Sequence, residues 1–155
     1  MNGSTGAWGL PRDAKAPSEI YLTAGNGVGS TGTKQFRFAN TFINKGVDMR
    51  LVKSAVYGDS IVINNPGLYS ITLVNTVNAA TGVTKNSTQL TTNAGSLTDG
   101  SLLFIMGASA VSLTGSCVVN LVAGDTLRVS ADGSVPNTSA LLTTFRVTKI
   151  STAGA

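Results

Sequence analysis

Seven carboxylates, Asp13, Glu19, Asp48, Asp59, Asp99, Asp125 and Asp132, are the main source of acid–base chemistry in this 155-residue chain, because it contains no histidine. Histidine is the commonest general base and the commonest metal ligand, so its absence closes most routes to both. Glycoside hydrolysis needs two carboxylates facing each other across the scissile bond. The spacing of these seven singles out no such pair. Asp59 and Asp125 each follow a glycine, a turn setting in which an aspartate side chain caps nearby backbone amides. Asp99-Gly100 and Asp132-Gly133 are candidates for a calcium site between subunits, yet neither stretch has the acidic density of a calcium loop.

Cys117 is the only cysteine. It has no partner for an intrachain disulfide, and structural zinc or iron–sulfur sites need more thiolates. No histidine is present to activate it as a nucleophile. Set in Ser116-Cys117-Val118-Val119, it reads as a small buried hydrophobe. Gly25-Asn26-Gly27-Val28-Gly29 has the glycines of a phosphate cradle but lacks a following Lys-Ser/Thr or helix-forming run, so it reads as a flexible turn. Asn86-Ser87-Thr88 fits a glycosylation sequon, which matters only on a secretory route. The expectation is no enzyme, no metal and no cofactor.

Hydrophobic residues are 42% of the chain and charged residues 12%, about half the usual charged share. Ser, Thr, Asn and Gly replace the missing charge. Glu19 is the single glutamate, a poor composition for long helices. The net charge is +4, but the positives are scattered. Lys34, Arg37, Lys45, Arg50 and Lys53 come nearest to a cluster, and they read as solvent-facing strand positions. A nucleic-acid binder would show a denser basic stripe with aromatics for stacking. The first residues have no basic region followed by an apolar core, so no secretory signal is expected. No window approaches 18 uninterrupted apolar residues, so no membrane span is expected. The expectation is a soluble single domain made in a cytoplasm, burying roughly 68–70% of its unfolded surface.

The elements that must position these residues read as β throughout. Residues 1–34 are punctuated by glycines and prolines, with one strand-like stretch at 18–23, and read as an extended arm carrying the only tryptophan, Trp8. Residues 35–155 form the folded domain. Gln35-Phe36-Arg37-Phe38 alternates at period 2, placing both phenylalanines on one face. Strands are predicted at 49–57, 60–63, 68–77, 101–106, 110–113, 116–122, 126–131 and 141–150. Residues 83–92 read as a polar strand at an edge or a long loop, and 78–82 as a turn. Gly107 and Gly115 hint at bulges. Leu127 and Val129 oppose Arg128, and Phe145 and Val147 oppose Arg146, the alternation of sheets with one buried side. Leu102, Leu103, Phe104, Ile105 and Met106 are apolar on both faces, as expected of a strand with one face in the core and one in a partner. About nine or ten strands at such spacing predict an all-β sandwich or barrel.

One order of motifs is distinctive. Gly58-Asp59 leads into a short apolar strand, then Asn65-Pro66-Gly67-Leu68-Tyr69 opens a long one. Later comes Leu121-Val122-Ala123-Gly124-Asp125-Thr126-Leu127-Arg128-Val129, and Phe145 lies on the terminal strand. This resembles the jelly roll of the tumour-necrosis-factor and complement globular-head superfamily over about residues 35–151. The resemblance implies an antiparallel jelly-roll sandwich of ten strands packed as a homotrimer, with aromatic and aliphatic residues along the three-fold axis. The chain is poorer in aromatics than the animal members and lacks a collagen-like tail, which speaks against their receptor-signalling and complement roles; the same domain resembles those on tailed-bacteriophage surface proteins, whose Gly/Ser/Thr/Asn/Ala-rich, low-charge, cysteine-poor composition is similar.

Two functions follow from that resemblance. The first is a phage virion structural protein, a trimeric capsid decoration (cement) or head-fibre protein. It would be attached to the major capsid protein or a fibre through its arm, with Trp8, Leu10, Ile20 and Tyr21 as anchors. The second is a receptor-binding tip of a tail or head fibre. Host-surface glycan would then meet the loops bearing Asn78, Thr81, Asn86, Asn93, Asp99, Asp132 and Asn137. Either way the expected location is the virion surface, after synthesis in the host bacterial cytoplasm, with no nucleic-acid or membrane partner.

Overall fold

A computed structural model describes residues 17–30, 34–87, 101–109, 111–132 and 142–152. Ten strands run through them: β1 (Glu19–Val28), β2 (Phe36–Lys45), β3 (Met49–Val52), β4 (Ser60–Ile63), β5 (Gly67–Asn75), β6 (Ala80–Lys85), β7 (Ser101–Met106), β8 (Leu113–Leu121), β9 (Thr126–Asp132) and β10 (Thr144–Thr152). They form two five-stranded antiparallel sheets, ordered β2-β1-β10-β5-β8 and β3-β4-β9-β6-β7. The architecture is the jelly-roll sandwich that the motif order predicts.

Period-2 alternation builds the core. In β5 every second side chain turns inward, so Tyr69, Ile71 and Leu73 are fully buried while Leu68, Ser70, Thr72 and Val74 are half-buried on the opposite face. Ile20 and Leu22 of β1, Phe36 and Phe38 of β2, and Phe145 and Val147 of β10 meet Ile61, Ile63, Leu127 and Val129 of the second sheet in one cluster. Phe38 and Phe145 stack with ring centroids 6.2 Å apart. Each such side chain contributes about 1.5–3 kcal/mol by leaving water.

The structure corrects four expectations. First, β1 is not part of an arm. It lies between β2 and β10, and Ile20 is 0% exposed in the core, so Ile20 is not available to anchor a partner. Second, the glycine-rich 25–29 segment is the bulged end of that strand, with Ala24 and Gly27 at φ 56° and 71° and a register shift between Gly25 and Val28. Glycine allows this because it reaches positive φ without steric cost.

Third, β6 is interior, paired with both β9 and β7, although its polar sequence suggested an edge or loop. Its threonines are tolerated because their hydroxyls are bonded: Thr81 donates to the Ala79 carbonyl at 3.0 Å and Thr84 to Ser87 Oγ at 3.0 Å. Fourth, Gly115 makes no bulge, and the β5–β8 register runs unbroken from Gly67↔Leu121 to Asn75↔Leu113. A Cβ at Gly115 would stand 2.7 Å from Phe104 Cε2, so its glycine serves close approach between the sheets. Trp8 and Leu10 lie outside the described residues.

Candidate functional site

Among the described residues, the carboxylates of Glu19, Asp48, Asp59 and Asp125 are spent on the scaffold. Asp48, between β2 and β3, accepts from Ser18 Oγ at 2.6 Å, Lys149 Nζ at 2.8 Å and Asn65 Nδ2 at 3.0 Å. The Lys149 hydrogen bond, followed by that of Ser18, holds its carboxyl down at about 2. The Tyr69 hydroxyl beside it donates to the Asn65 carbonyl at 2.6 Å, and burial, then the negative charge of Asp48, pushes it up to about 12. The Asn-Pro-Gly-Leu-Tyr motif is thus a clamp joining two connections, the start of β1 and β10 at one end of the sandwich.

Asp59 caps the Phe38 amide at 2.8 Å and the Ser54 amide at 3.1 Å and pairs with Lys53. Asp125 caps the Val122 amide at 2.9 Å and accepts from Asn86 Nδ2 at 2.8 Å. Glu19 pairs with Arg146 and Lys45. Among the described residues no group of three His, Cys, Asp or Glu side chains converges on a metal-sized site.

Of the predicted recognition residues, Asn78, Thr81, Asn86 and the backbone of Asp132 are described. Asn78 is exposed in the β5–β6 connection, and the backbone of Asp132 pairs with Ala80 at the same end. Thr81 is 0% exposed inside β6. Asn86, at φ 57°, accepts the Thr126 amide at 2.8 Å and donates to Asp125, so it locks a turn. Asn93, Asp99 and Asn137 lie outside the described residues. Tyr21 faces outward on the first sheet, edge-on to Phe42 at 5.7 Å and beneath the Arg146 guanidinium at 5.2 Å.

Among the described residues, one end of the sandwich and the outward face of the first sheet leave side chains in water. β7 and β8 are the outer strands of their sheets among the described residues, and they border the same end of the core, where Phe104 lies over Gly115. Leu102, Ile105 and Val118 are 43%, 52% and 58% exposed there. Leu103, Phe104, Leu113, Cys117 and Val119 are only partly buried against the core. Burial raises the Cys117 thiol above its ordinary value, which disfavours a reactive thiolate.

The outward face of the first sheet carries rows across the strands. Tyr21, Arg146, Thr72 and Ser116 form one, and Glu19, Thr148, Ser70 and Val118 another. At its centre the Arg146–Glu19 ion pair is flanked by the hydroxyls of Thr148, Ser70, Thr72 and Ser116. Sequence reasoning flagged the apolar run of β7 but missed this face. The alternation Thr114, Ser116, Val118, Asn120 was its only signal.

No family model matches the chain, and no curated protein matches its sequence. Solved structures do share its shape. The crystal structure of murine APRIL at pH 8.0 superposes with a TM-score of 0.57 at 16% identity, covering 87% of this chain and 100% of that one. Those of GITRL from bushbaby and from pika each superpose with a TM-score of 0.55 at 14% identity, covering 90% of this chain and 99% of theirs. At such identities the likeness is one of fold: the chain shares the jelly-roll fold of these structures.

Proposed function

We propose that this chain is the subunit of a homotrimeric bacteriophage virion surface protein, a capsid decoration or head-fibre protein that works by burying surface. The observation that carries the assembly is the open end at β7 and β8. Leu102, Ile105 and Val118 stand out in water beside a half-covered Phe104. An uncovered apolar edge invites pairing with another chain, and closed cyclic symmetry covers it on every subunit at once. The outward face of the first sheet, where hydroxyls flank the Arg146–Glu19 pair, offers a second seat for the same contact.

The low charge and the Ser/Thr/Asn/Gly-rich composition support a virion setting. Attachment would fall to the residues before Ser18, with Trp8 and Leu10 as anchors, because Ile20 belongs to the core. Light scattering should return about three times the 15.8 kDa chain mass. Deleting residues 1–17 should leave that trimer folded but unable to bind particles. Imaging of intact particles then decides the role. Hundreds of copies over the shell support decoration, whereas a handful at a tail or vertex would replace it with the receptor-binding reading.

A further inference from the structure

Strand β2, through Arg37 and Phe38, and the β3–β4 connection, through Lys53, Ser54, Ala55 and Asp59, line an open concavity of about 230 Å³. Its hydrogen-bonding groups are one-sided. The acceptors are already engaged. The Phe38 carbonyl accepts from Lys53 Nζ, and Asp59 Oδ2 accepts from the Phe38 amide at 2.8 Å and from Lys53 at 2.5 Å. Asp59 Oδ1 takes the Ser54 amide at 3.1 Å, and the Ala55 carbonyl takes the Ser30 amide at 3.0 Å.

The donors are left over. Ser54 Oγ accepts the Tyr57 amide at 2.9 Å, which leaves its hydroxyl hydrogen to donate. An ammonium carries three hydrogens, and Lys53 commits two. Arg37 has no hydrogen-bond or ion-pair partner among the described residues. Lys53 and Asp59 compensate each other's charge; among the described residues Arg37 meets no carboxylate. Such a concavity complements an anion, and a guanidinium fork matches a planar oxyanion in particular. The volume falls just below that of drug-sized pockets, roughly 300–1,000 Å³, and so suits one sugar ring.

We propose that this concavity binds an oxyanion carried by a sugar-sized ligand, a carboxylate or a phosphate, held by Arg37 with Ser54 and Lys53 as flanking donors. The site does not depend on the trimer or on a virion setting. The test is an amide-shift titration of the whole protein by NMR with glucuronate, glucose 6-phosphate and neutral glucose. Saturable shifts at the Phe38, Ser54 and Asp59 amides are expected with an anionic sugar and not with glucose. A response to glucuronate alone assigns the anion to an acidic sugar; a response to the phosphosugar alone assigns it to a phosphate.

Arg37→Gln should raise Kd about tenfold or more, the worth of one charge-assisted pair, with the rest of the spectrum unmoved. Arg37→Lys, which keeps the charge and loses the fork, should fall between. Shifts of equal size with glucose, unchanged binding in Arg37→Gln, or no saturable shift with either anion through the millimolar range would overturn the proposal.

Discussion

Lys149 Nζ on β10 lies 2.8 Å from Asp48 Oδ1 in the β2–β3 connection, joining residues 101 positions apart in the chain. Only 11% of the lysine side chain and 23% of the aspartate side chain are exposed. The Asp48 carboxyl sits at about 2 against an ordinary 3.8. A carboxyl whose folded value is depressed stabilises the fold above its unfolded value, and that stabilisation fades as pH falls through the folded one. The contribution is therefore full above about pH 4 and disappears toward pH 2. Asp48→Asn should cost about 2 kcal/mol near neutrality, and the gap to the parent protein should close as pH approaches 2. Denaturant midpoints at one fixed protein concentration, taken across that window, check it.

The contact between Phe104 and Gly115 gives a second expectation. An alanine Cβ would meet Phe104 Cε2 at 2.7 Å and Met106 Sδ at 3.0 Å, so the ring must swing out from between the sheets. Gly115→Ala should destabilise by about 1–3 kcal/mol, the usual range for overpacking. Combining it with Phe104→Ala should cost less than the sum of the two single changes, because the clash is gone. A double-mutant cycle from denaturant unfolding measures that coupling.

The alternation of Tyr69, Ile71 and Leu73 and the Gly-Asp turns made the sandwich legible, since period 2 and turn chemistry are local properties. What stayed hidden came from distant segments. Arg128 alternates with Leu127 and Val129 as an outward residue should, yet it is buried. Gln35 pairs with Ser130 beside it, and the Arg128 guanidinium donates to the Ser87 carbonyl. Ile20 reads as a short strand in an arm because the pairings that place it in the sheet, with Val147 and Asn44, join distant segments. Arg37 and Lys53 were read as scattered charge; the β3–β4 turn brings them to one concavity.

Asn86 offers a test of scaffold against recognition. Its left-handed backbone and its bonds to Thr126 and Asp125 tie β6 to the turn before β9. Asn86→Gly keeps the backbone conformation and loses the side-chain bonds, at an expected cost of about 1 kcal/mol. Asn86→Ala adds left-handed strain of roughly 1–2 kcal/mol. Thermal melts should order the proteins parent, Asn86→Gly, Asn86→Ala. Equal melting of all three would mean that the turn does not depend on this residue.

Ile105 and Val118 separate assembly from folding. Both are more than half exposed, at 52% and 58%, so an aspartate at either position meets water in an isolated subunit and should change its stability by within about 0.5 kcal/mol. In the proposed trimer the same aspartate would enter an apolar contact, where an unpaired buried charge is costly by several kcal/mol. Ile105→Asp and Val118→Asp should therefore yield folded monomers by light scattering, with the circular dichroism of the parent β-sandwich. Phe42→Asp is the control, since Phe42 is 73% exposed on β2, at the opposite edge of the first sheet. It should leave the mass unchanged. Loss of assembly in the control with retention in the other two would move the contact from the β7–β8 end to the β2 edge.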